Sequence, residues 1–267
     1  MASSQHVRRH PLEVLGRVGY GVKGVLYAVL GVLALDAAVG PGEAEGQAGA
    51  FQTLAQQPFG AVLLWVLVVG LAAYAVWRVA LAITDPEGEG DDLEGAGKRA
   101  FYVVSALAYG GLAYTAYKVV SGAGASGGGT EERAQTLLGL PGGRWIVGGL
   151  ALALLGYGVY QFVRAYRASF MDHFRLEGEV ARHRDKVRKA GQWGLSARGV
   201  VYVLTGLFMA QAALRSDADK AGGLDQALSA LQRQPYGPWL LALVAVGFVM
   251  YGVYCGVNAA YRAYEGQ

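Results

Sequence analysis

Long apolar runs divided by short polar stretches organise this chain. The runs fall at 15–39, 58–84, 100–121, 143–165, 191–214 and 236–260, with almost no charge inside them. Each is about the 20 residues that a helix needs to cross a hydrocarbon core of about 30 Å. None alternates with period two, so barrel strands are not indicated and helices are the expected spanning elements, because backbone groups in lipid must be satisfied within the segment. The first run follows basic residues as a signal peptide would, but it is long and has a partner later in the chain, which favours an uncleaved anchor.

That partner reveals an internal repeat. Gly16-Arg17-Val18-Gly19-Tyr20-Gly21-Val22-Lys23-Gly24-Val25-Leu26-Tyr27 returns as Gly191-Gln192-Trp193-Gly194-Leu195-Ser196-Ala197-Arg198-Gly199-Val200-Val201-Tyr202. A diverged copy, Val104-Ser105-Ala106-Leu107-Ala108-Tyr109, keeps the tyrosine and puts serine where the cation stood. The second runs agree independently: Pro58-Phe59-Gly60, Pro141-Gly142-Gly143 and Pro235-Tyr236-Gly237 open them, and Tyr74, Tyr157 and Tyr251 follow at the same distance. The expected architecture is therefore an all-α integral membrane protein of six transmembrane helices, built as three parallel two-helix repeats with pseudo-threefold symmetry. Short surface helices are expected before each second span, as at 47–57 and 223–234, with the proline in the first turn of the span.

The predicted divisions are a cytoplasmic segment 1–14, repeat 1 at 15–84, a linker 85–97, repeat 2 at 98–168, a basic linker helix 169–190 and repeat 3 at 191–264. Arg8, Arg9 and Arg17 before the first span, and the basic link after the fourth, place both termini in the cytoplasm of a bacterial inner membrane. In that link Arg175, Arg182, Arg184, Lys186, Arg188 and Lys189 are candidates for contact with anionic headgroups of the inner leaflet.

Composition agrees and excludes some functions. Charged residues make up 16% of 267, well below the roughly 25% of soluble domains. A formal charge of +3 gives no case for nucleic acid. All four histidines lie in polar segments and the one cysteine, Cys255, lies in the last span, so no metal or cofactor is expected. No nucleophile is paired with a base, so no enzyme is expected either, and a protein partner is not identifiable.

The repeated Gly-Val-x-Tyr opening, the Pro-Phe-Gly start and Gly-Leu-x-x-Tyr-x-x-Trp-Arg at 70–78 resemble the bacterial membrane family catalogued as domain of unknown function 1206. The resemblance spans about 15–264 and implies three two-helix repeats, with no activity attached. The middle copy departs furthest, lacking the cation and the aromatic residue between its proline and glycine.

Lys23 and Arg198 occupy the same repeat position one to two turns inside their spans, and Arg78 lies near their level on a second helix. Cations at such depth are costly and mark function, or else reach the headgroups along their own stems. Tyr27, Tyr109 and Tyr202 on first helices and Tyr74, Tyr157 and Tyr251 on second helices share one expected depth, roughly 12 to 14 Å from the cytoplasmic boundary at 1.5 Å per residue. They either line a polar vestibule or pack between helices with their hydroxyls bonded. Glycine and alanine pairs such as Gly24 with Gly31 and Gly199 with Gly206 read as close helix packing. The functional expectation is a small channel or transporter favouring anions, with its pathway on the pseudo-threefold axis. The alternative is a non-catalytic structural, lipid-binding or assembly protein.

Overall fold

The computed structural model describes residues 3–40, 42, 44–84, 93–123, 130–173 and 182–261. Regular structure among them is entirely helical. Long helices α1 (Ser3–Val39), α3 (Gly60–Thr84), α4 (Leu93–Val120), α6 (Gly143–Arg167), α7 (Arg184–Arg215) and α9 (Gly237–Tyr261) are joined within each repeat by short ones: α2 (Gln47–Ala55), α5 (Thr130–Leu138) and α8 (Leu224–Gln232). Five of these elements are long and apolar enough to cross a membrane: Val14–Val39 of α1, and α3, α6, α7 and α9. The expected third span lies within α4 but is less apolar than the rest. Tyr102, Tyr109, Tyr114 and Tyr117, with Gly110, Gly111 and Lys118, dilute its aliphatic residues.

The Pro-x-Gly landmark has a backbone cause. The residue after each proline is left-handed, Phe59 at φ 63°, Gly142 at 75° and Tyr236 at 63°. The next glycine abuts the short helix before it, where a Cβ on Gly60 or Gly143 would stand 1.9 Å from a carbonyl oxygen of Leu54 or Leu137. Only a residue without Cβ fits there. The middle copy's Gly142 therefore suits its conformation better than the aromatic residues do in the outer copies. Each proline lies in this turn, ahead of the span rather than in its first helical turn.

Packing follows a cyclic order. The most extensive contacts join the second helix of one repeat to the first of the next: α3 to α4, α6 to α7, and α9 back to α1. Within repeats, α1 meets α3 and α7 meets α9, whereas α4 and α6 scarcely touch. Small residues permit the close crossings. Gly158 and Gly199 approach each other between α6 and α7, where a Cβ on Gly158 would lie 3.0 Å from the Gly199 carbonyl oxygen. Inward residues such as Leu26, Leu30, Leu64, Leu71, Leu195 and Phe248 form the core, while Val62, Val69, Val76 and Ile83 leave an apolar stripe of α3 exposed.

Of the segment 169–190, expected from sequence as one linker helix, the described residues are divided between separate elements. It starts as a 3-10 turn at Ser169–His173, and its basic end forms the first turns of α7, continuous with the span. Phe170 is fully buried, edge-on to Tyr254 at 5.2 Å and packed on Gly191, because an apolar Phe-Met pair offers more burial against the bundle than in water. Of the headgroup candidates, Arg182, Arg184, Lys186, Arg188 and Lys189 are exposed, and Arg175 lies outside the described residues.

A tyrosine and cation layer as candidate functional site

The six repeated tyrosines meet in pairs, one at each interface between repeats. Tyr74 and Tyr109 stand edge-on with ring centroids 4.7 Å apart, Tyr157 and Tyr202 at 4.8 Å, and Tyr251 and Tyr27 at 4.6 Å. Such T-shaped pairs place the positive edge of one ring on the negative face of the other. Toward the termini, each interface has a further equivalent contact. Arg17 donates to the Ala259 and Ala260 carbonyl oxygens at 3.1 and 2.7 Å, Arg99 to Ala82 at 2.9 Å, and Gln192 to Ala165 at 3.0 Å. All three donate to carbonyls in the last turn of a helix, and the Ala165 carbonyl accepts from the Ala168 amide as well at 3.3 Å.

The cations interleave with these rings. Lys23, only 4% exposed, donates to the Tyr74 hydroxyl at 3.5 Å, and its ammonium lies 4.9 to 5.9 Å from the ring centroids of Tyr109, Tyr74, Tyr251 and Tyr20. Arg78 donates to the same hydroxyl from Nε at 3.0 Å and Nη2 at 2.6 Å, and faces Trp77 and Tyr102. Arg198, 5% exposed, donates from Nη1 to Tyr251 at 2.5 Å and from Nη2 to Tyr202 at 2.7 Å, with its carbon 4.4 Å from the Tyr251 ring centroid. An unbroken chain thus runs Arg78, Tyr74, Lys23, Tyr251, Arg198, Tyr202, Tyr157. These contacts to hydroxyls and aromatic faces stabilise charge removed from water.

Two polar groups in this region are buried without partners among the described residues. Gln161 is fully buried with both amide atoms unbonded, and Arg198 keeps an unbonded Nε. Gln161 occupies the repeat position held by Arg78 in the first copy and by the buried Cys255 in the third. Unsatisfied buried amides typically cost about 1–3 kcal/mol each.

On the side of the layer away from the termini lies a cavity of about 150 Å³. Arg198, Tyr27 and Tyr202 form its floor, Leu154, Val201 and Phe248 are among its walls, and Gln47 and Leu224, the first residues of α2 and α8, lie at its mouth. Gln232 ties these short helices to the bundle. Its side chain donates to the Ala37 and Gly42 carbonyls at 3.0 and 2.9 Å and accepts from the Ala44 amide at 3.4 Å.

Family comparison agrees with this threefold partition. The model of the Domain of Unknown Function family (DUF1206) matches residues 18–85, 100–168 and 193–262. The chain belongs to this family. It is similar to "Uncharacterized protein YxxB" of Bacillus subtilis (strain 168), with 33% identity over 251 residues that cover 94% of this chain and 91% of that protein. No solved structure matches the chain. Lys23, Arg78, Arg198 and the six repeated tyrosines meet in this layer, but how they divide within it does not follow from sequence. Lys23 and Arg78 share one hydroxyl, whereas Arg198 alone of the three lines the cavity. Tyr20 and Tyr102 share one repeat position and were missed because the third copy has Leu195 there.

Proposed function

We propose that the protein is a small anion transporter of the bacterial inner membrane, with all six long helices spanning and both termini cytoplasmic. The observation that carries this reading is the layer itself. Lys23 and Arg198 are buried with the half-buried Arg78 beside them, and their partners among the described residues are phenols and aromatic rings rather than carboxylates. Phenols disperse such charge without neutralising it, and an unneutralised cation cluster inside a membrane attracts a mobile anion.

The cyclic packing, the three equivalent tyrosine pairs and the three equivalent caps support a pseudo-threefold axis. A spanning α4 is supported by the apolar face that it leaves exposed, with Val103, Val104 and Leu107 among its residues. Exposed aromatics at both ends of the bundle, Trp145, Tyr236 and Trp239 at one and Tyr166 and Trp193 at the other, suit two membrane interfaces. The cavity reaches Arg198 from one side, and the closely packed rings around Lys23 close the other, which fits a one-sided transporter state better than an open channel. The same rings favour an assembly or lipid-binding role for the Lys23 half, where Lys23 is enclosed by rings and bonded to the Tyr74 hydroxyl.

Flux decides between these readings. Protein reconstituted in vesicles should move chloride or small organic anions, and Arg198→Ala should reduce that flux at least tenfold, with Lys23→Ala reducing it less. Equal flux in wild type and the double variant would remove the assigned role. Reporter fusions at each terminus test topology, with cytoplasmic readings expected at both.

A further inference from the structure

We infer that the Arg198 cavity is a binding site for a small organic monoanion, a carboxylate whose alkyl or aryl body has about three to six carbon atoms, rather than for an inorganic polyanion. This inference rests on the anion reading above and narrows its substrate class. The first argument is charge. Among the described residues Arg198 is the one cation in the cavity lining, and Lys23 and Arg78 are turned into the rings of Tyr74, Tyr109 and Trp77. One guanidinium balances one negative charge, and a doubly charged phosphate would remain half uncompensated in a water-poor site.

The second argument is the donor set. Of the five Arg198 N–H groups, one on each Nη is given to the Tyr251 and Tyr202 hydroxyls, and Nε is unbonded among the described residues. A phenol that accepts from a guanidinium is polarised and becomes a stronger donor, so the hydroxyl proton of Tyr202 is available to a ligand oxygen on the cavity floor. The Tyr27 ring lies beside it, with the Arg198 carbon 5.3 Å from its centroid. The N–H groups left on one planar guanidinium, with the Tyr202 hydroxyl beside them, suit the two oxygens of a carboxylate better than the four of phosphate or sulfate.

The third argument is the opposite wall. Leu154, Val201, Leu224 and Phe248 are apolar and would leave a hydrated inorganic ion without partners, whereas a short alkyl or aryl body gains contact with them. A space of about 150 Å³ is of the size known to hold a benzene-sized molecule. Gln47 at the mouth and Thr205 along the wall are the remaining polar groups.

The test is binding to the purified full chain in detergent, read as the shift in thermal unfolding midpoint and by titration calorimetry. The probes are butyrate, benzoate, butyramide, chloride and inorganic phosphate. Butyrate or benzoate is expected to bind, and butyramide, the uncharged isostere, to bind at least tenfold more weakly. Arg198→Lys should weaken carboxylate binding about tenfold or more. Leu154→Trp, which fills the cavity and leaves every cation in place, should abolish it, so the outcome does not depend on whether the Arg198 variant folds. Butyramide binding as well as butyrate, or carboxylate binding unaltered in Leu154→Trp, would overturn the inference. Chloride or phosphate binding that depends on Arg198, with carboxylates silent, would overturn it and leave the anion reading standing. Silence from all four anions would sink both.

Discussion

Gly24 and Gly252 meet backbone to backbone, and a Cβ on either would stand within 2.9 Å of the other's carbonyl oxygen. The contact joins the first and last long helices and has its counterpart in Gly158 and Gly199. Gly252→Leu should therefore force α9 off α1 and lower stability by about 1–3 kcal/mol, the usual range for overpacking. Gly256→Ala, at a position with open space around it, should be neutral. Thermal unfolding in detergent compares the two, and equal effects would contradict the proposed close crossing.

Tyr74 accepts from two cations at once, so Tyr74→Phe should cost roughly 1.5–3 kcal/mol by leaving Lys23 and Arg78 without their shared acceptor. Lys23→Met in the same chain should recover part of that loss, because it removes one of the stranded charges. A double-mutant cycle on unfolding free energies measures the coupling, and strict additivity would show that the hydroxyl does not link the two cations.

Arg99→Ala should destabilise by about 1.5 kcal/mol through loss of its bond to the Ala82 carbonyl at the end of α3. Arg99→Gln should retain most of the stability, since Gln192 makes the equivalent bond in the third repeat. Hydrogen exchange at the end of α3 checks this locally, with faster exchange expected in the alanine variant alone.

Gln161→Leu should raise stability by about 1–3 kcal/mol, because it replaces a buried amide that has no partner among the described residues. A lower unfolding midpoint in the variant would mean that the amide is satisfied in solution, by water or a ligand.

The parts of the fold legible in the sequence are those where the backbone leaves no choice. Pro-x-Gly recurs because its glycine abuts a carbonyl of the short helix before it and has no room for a Cβ, and Gly-Val-x-Tyr because a small residue precedes the interface tyrosine by the same interval in each copy. Depth followed from the same counting, which is why the six tyrosines could be assigned to one layer. Partner choice was not legible. Tyr251 bonds Arg198 from its own repeat while stacking on Tyr27 of another, and that double duty exists only once three repeats are in place. Arg17 was read as a marker of membrane sidedness, and the contact with the neighbouring helix end that it shares with Arg99 was hidden because the third member of the set, Gln192, carries no charge. The cavity was hidden for a related reason. Its lining comes from α1, α2, α6, α7, α8 and α9, with no common spacing to reveal it.

The seating of α9 against α1 also sets the order of biogenesis. At about 5–20 residues per second, roughly ten to fifty seconds separate the synthesis of Gly24 from that of Gly252. Throughout that interval α1 waits in the bilayer without its principal neighbour, and Lys23 waits without the Tyr251 ring. A nascent chain truncated before α9 is thus an orphan with an exposed intramembrane charge, the kind of segment that insertion chaperones shield and quality-control proteases remove.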